Sequence, residues 1–92
     1  MPLKKLFHTK ILSLKDGSYD VFYYDKRYLL SKQTLLNSKL IKLYAEELGG
    51  TGFISLNYYP YIGPGLLRPC EMPEKKVIDF ILSMKNQASC KT

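Results

Sequence analysis

Between Leu6 and Leu14 the chain sets Phe7, Thr9, Ile11 and Ser13 against His8, Lys10, Leu12 and Leu14. A period of two with β-forming residues predicts a strand. Asp16-Gly17 then supplies the residue pair that tolerates positive φ in a tight turn, and Tyr19 to Tyr24 resumes with strand formers, so a β-hairpin is expected here. Asp25-Lys26 separates it from Arg27-Tyr28-Leu29-Leu30, a third short strand behind a weaker turn that lacks a glycine.

Ser38 can cap a helix running to about Leu48, with Gly49 and Gly50 as a left-handed stop. On a helical projection Leu40, Ile41, Tyr44, Ala45 and Leu48 share one arc, while Lys39, Lys42 and Glu46 face away. Thr34 is a second acceptable cap, and Glu47 is poorly placed near the negative helix end. Phe53 to Tyr59 reads as a fourth strand, and residues 60 to 72, broken by prolines and glycines, as an ordered loop or arm. Pro73 suits the first position of a last helix carrying Val77, Ile78, Phe80, Ile81, Leu82 and Met84. These six spread over roughly 200° of the helix, more than one sheet covers, so a second surface must pack on them.

The order β-β-β-α-β-loop-α predicts an α+β fold, an antiparallel sheet of three to four strands with two helices on one face. The 92 residues bound this to one domain, 1–92, with a polar tail from about residue 87. No apolar run is long enough to cross a bilayer, and Lys10 interrupts the N-terminal apolar residues before they could form a leader's core. The expectation is therefore a cytoplasmic protein. Cys70 and Cys90 form no Cys-x-x-Cys pair and are expected as reduced thiols, with a disulfide between them the alternative.

Fourteen Lys and Arg against eight Asp and Glu give a net charge of +6. Residues 1 to 32 carry +4 of it, residues 33 to 59 balance, and residues 60 to 92 carry +2. An acidic partner is implied: nucleic acid, an acidic protein face or an anionic lipid surface. Solubility alone accounts for a charge of this size equally well.

Chemistry finds little to build on. Gly49-Gly50-Thr51-Gly52 follows the C-terminal end of the expected helix rather than preceding a helix N-terminus, the wrong direction for a phosphate loop. Cys70 would need a base, and the one histidine is His8. One histidine and two distant cysteines make no zinc site. The chain is expected to be non-enzymatic, without cofactor or metal.

Eight tyrosines interleaved with basic residues are the distinctive feature. Tyrosines on a basic sheet can stack on bases while lysines hold phosphates, so a nucleic-acid-binding module is the first expectation, with Lys10, Tyr24, Lys26, Arg27 and Tyr28 as contacts. Tyrosine also suits any half-covered sheet, which needs no ligand. The alternative is a protein-interaction subunit or homodimer using the stiff 58–69 arm, through Tyr59, Tyr61, Leu66, Leu67 and Arg68, together with the last helix.

Overall fold

A computed structural model describes residues 3–86; the polar tail and Cys90 lie outside the described residues. The elements run α1 (Leu3–Ser13), β1 (Gly17–Tyr23), β2 (Lys26–Leu35), β3 (Leu40–Glu47), β4 (Phe53–Tyr59), β5 (Leu66–Pro69), α2 (Glu74–Ser83) and β6 (Lys85–Asn86). The strands form one antiparallel sheet in the order β5-β4-β3-β2-β1-β6. The fold is α+β, as expected, with more strands than the three to four predicted.

Two segments exchange their expected elements. Residues 6–14 belong to helix α1, because Phe7 and Ile11 stand four apart and both bury fully against the sheet, while Leu6 and Leu12 face outward. The apparent alternation carried leucine on its polar phase, which left the helical spacing free to win. Residues 38–48 hold a strand instead of a helix. In β3 Ile41, Leu43 and Ala45 are buried and Lys42, Tyr44 and Glu46 exposed, an exact period of two. Its partners β2 and β4 satisfy the backbone on both sides, and this pairing overrides the helical pattern.

Gly49 and Gly50 therefore serve a hairpin, with Gly49 at φ +86°. Glu47, misplaced in a helix, accepts the Gly52 N–H at 3.2 Å and sits 4.0 Å from Lys26. The hairpin expected around Asp16-Gly17 forms one step later, between β1 and β2, where Tyr24 takes the left-handed conformation at φ 58°. The proline-rich stretch contains a real strand, β5. The last helix is as expected, with Pro73 at its cap position.

Both helices lie on one face. The second surface demanded by the wide apolar face of α2 is α1 as well as the sheet: Phe7 and Ile11 share the core with Val77, Phe80 and Ile81, over Val21, Leu30, Leu43, Ala45, Ile54 and Leu56. Phe80 packs edge-on against Tyr28, ring centroids 5.1 Å apart, and lies 4.9 Å from the Tyr23 ring.

One charge is buried here. Lys32, 4 % exposed, donates from Nζ to the Leu14 carbonyl at 2.5 Å and lies 3.6 Å from Asp16. It meets the chain just beyond the last turn of α1, where carbonyls lack partners and the dipole favours a cation. A bond from Thr34 Oγ1 and the Lys32 ammonium hold the Asp16 carboxyl below its usual range.

Burial raises the phenols of Tyr23, Tyr28, Tyr58 and Tyr19 above the ordinary value of 10.0, with Asp79 adding to it at Tyr23, Glu47 at Tyr28 and Asp16 at Tyr19. In the unfolded chain these groups lose protons near 10 while the folded ones hold theirs, so stability present below that pH is lost as pH rises through it. The melting temperature is expected to stay level from about pH 8 to about pH 9.5 and to fall steeply by about pH 11. A level profile to pH 11 would contradict these burials.

Candidate functional site

The face of the sheet opposite the helices is uncovered. Register arranges its side chains in rows across the strands. Leu66 and Tyr59 pair, as do Leu40 and Leu35, and together they make an apolar row at one end. The next row runs Arg68, Asn57, Lys42, Gln33, each opposite its neighbour. Beyond it come Ser55, Tyr44, Ser31 and Ser18, the last two joined Oγ to Oγ at 2.9 Å. Phe53, Glu46, Leu29 and Asp20 follow.

Twist makes the middle of this face concave. A depression of about 580 Å³ opens there, lined by Ser18, Ser31, Gln33, Lys42, Tyr44, Ser55 and Asn57, with exposed Cys70 at its edge. Tyr44 and Phe53 stack beside it, centroids 6.2 Å apart and planes 28° from parallel. Lys42 and Arg68 stand two strands apart, about 10 Å. Neither belongs to any of the four ion pairs among the described residues. No carboxylate occurs from residue 33 to 45 or from 48 to 70. The depression is thus a cationic, hydroxyl- and amide-lined trough with an aromatic wall.

The five residues expected to contact nucleic acid do not share a surface. Tyr28 is buried against Phe80 and is unavailable for stacking. Lys10 lies on α1, in the helix layer away from the open face. Tyr24, 70 % exposed, Lys26 and Arg27 gather at the β1–β2 turn, where Lys26 faces Glu47 and Arg27 Nε lies 3.4 Å from Asp20. Of the arm residues, Tyr59, Leu66 and Arg68 do meet, on the open face. Tyr61 projects from the β4–β5 loop, and Leu67 turns inward onto the core.

His8 and Cys70 do not meet either. His8 Nδ1 bonds Tyr58 Oη at 2.6 Å on the helix side of the sheet, whereas Cys70 borders the trough on the other. No metal-holding cluster occurs among the described residues. Sequence reasoning missed Gln33, Lys42, Tyr44, Phe53 and Asn57. The signal was present in residues 41–46, whose alternation of apolar with polar or aromatic residues places Lys42 and Tyr44 on one face.

The fold and this trough define a small α+β protein with an open-faced antiparallel sheet, and among the described residues no helix is long and apolar enough to cross a membrane. The chain matches no protein-family model, no curated protein and no solved structure.

Proposed function

We propose that this chain is a non-enzymatic binding module that holds single-stranded nucleic acid in the trough on the open sheet face. The supporting observation is the pair of unpaired cations, Lys42 and Arg68, in a row free of carboxylates beside the stacked Tyr44 and Phe53. Cations track a phosphate backbone, and aromatic faces take unstacked bases regardless of sequence. The amides of Gln33 and Asn57 can donate to and accept from base edges. The trough, open along the uncovered sheet face, admits an extended strand and excludes a duplex, whose bases are already stacked.

Anisotropy of a fluorescent single-stranded oligonucleotide tests this. Two phosphate contacts predict a log–log salt slope with a share of about −1.4 from Lys42 and Arg68, which the K42A/R68A protein loses. Tyr44→Ala removes one stacking platform and is expected to weaken binding by about 1–3 kcal/mol, roughly five- to 150-fold. Lys10→Ala, on the other face, leaves affinity close to wild type. Binding indifferent to salt, or a Tyr44→Ala protein of full affinity, would rule the reading out.

A further inference from the structure

The apolar row ends the open face at the β2–β3 turn and the β4–β5 loop, and both loops raise apolar side chains beyond it. Leu36 is 66 % exposed, Tyr61 69 % and Ile62 54 %. They join Leu35, Leu40, Tyr59 and Leu66 in one patch that runs across four strands.

The turn itself is strained. Leu36, Asn37 and Ser38 all have positive φ, 54°, 56° and 72°, closed by the Lys39 N–H on the Leu36 carbonyl at 3.1 Å. Glycine or asparagine adopts this conformation freely, whereas leucine is strained in it. Leu36 is therefore unfavourable for the fold twice over, in backbone and in exposure.

The charges around the patch name its occupant. Lys39 lies in the turn, and Lys42 and Arg68 form the row behind it, with no carboxylate in either loop or in the two rows. A second copy of the chain would bring the same cations, and another +6, against these. We propose that this end of the molecule docks on an anionic phospholipid bilayer, Leu36, Tyr61 and Ile62 entering the headgroup–acyl boundary while Lys39, Lys42 and Arg68 meet the headgroups. Side chains on two separate loop tips suit a deformable surface, and cations set one row back stay at the level of the phosphates. The proposal goes beyond the nucleic-acid reading and does not rest on it.

Co-sedimentation with phosphatidylcholine vesicles, with and without phosphatidylserine at three parts in ten, is the test. Binding is expected to need phosphatidylserine and to weaken with salt. Lys39→Ala should lower it about fivefold, the share of one cation near such a surface. Leu36→Asn, together with Tyr61→Ser and Ile62→Ser, should lower it at least about tenfold, as several apolar groups leave the boundary. Leu36→Asn alone should weaken vesicle binding while holding or raising the melting temperature, because asparagine accepts the turn. It should also leave oligonucleotide affinity unchanged. Equal binding to both vesicle types, or loop variants that bind like wild type, would overturn the proposal. So would a wild-type dimer that Leu36→Asn converts to monomer, or oligonucleotide and vesicle affinities that fall together.

Discussion

Phe80→Ala is expected to lower the unfolding free energy by roughly 3–5 kcal/mol, the range for deleting a fully buried aromatic side chain. Phe80 has no exposed surface and lies where α2 meets the rings of Tyr23 and Tyr28. Removing it opens a cavity between a helix and a sheet that are each held by other contacts, so the site cannot collapse well. Small domains have about 5–15 kcal/mol in total, so the variant should lose a large share of its stability and melt well below the wild type. Phe53→Ala provides the contrast within one protein. Phe53 stands on the uncovered face, where its main neighbour is Tyr44, and its loss should change stability by at most about 0.5–1 kcal/mol. Urea titrations of the two variants compare the same deletion on the two sides of the sheet. Similar costs would mean that the open face is not open.

Gly65→Ala is the second large effect, expected at roughly 2–5 kcal/mol from backbone strain and overpacking together. Gly65 has φ +114°, and a Cβ built on it would sit 1.9 Å from Tyr58 Oη and 3.2 Å from His8 Nδ1. Tyr58 cannot swing aside. Its ring is buried, packs edge-on to Phe7 at a centroid distance of 5.2 Å, and holds His8 through its hydroxyl. Two costs are thus combined, and a double-mutant cycle separates them. Tyr58→Phe removes the clashing oxygen at the cost of one hydrogen bond, about 1 kcal/mol. In that background Gly65→Ala should cost less, though more than the backbone share of about 1–3 kcal/mol, because Cζ of the same ring still lies 2.7 Å from the new Cβ. Additive effects would show that the close approach is not the cause.

How much of this was legible beforehand depends on which neighbour decided each segment. Residues 73–84 carry their own instructions: a proline at the start, an acid in the first turn and a dense apolar face, so α2 stood out. Residues 19–24 and 27–30 read as strands because the β-formers are consecutive, and β2 runs on to Leu35 through its pairing with β3. Residues 6–14 and 38–48 hold patterns compatible with both periods, and the choice fell to partners far away in the sequence. Phe7 and Ile11 gain their burial from α2 and β4, and Leu43 gains its from Leu56 and Lys32 on either side. The trough depended on that second choice. With 38–48 drawn as a helix, Lys42 and Tyr44 fell on different sides of it; as a strand they stand two residues apart on the same face. Tyr28 was misjudged for the opposite reason: its basic neighbours suggested a surface, yet the alternation along β2 turns it inward beside Leu30 and Lys32.

From β1 to β5 every strand pairs with its neighbour in sequence, whereas α1 meets α2 only across the whole sheet-forming segment. During synthesis the meander can therefore zip together by short loop closures as soon as it leaves the ribosome, with Leu30, Leu43 and Leu56 lining a face that α2 has yet to cover. At about 5–20 residues per second the wait for α2 is on the order of a second. For that interval the nascent chain is a half-roofed sheet whose apolar face meets water.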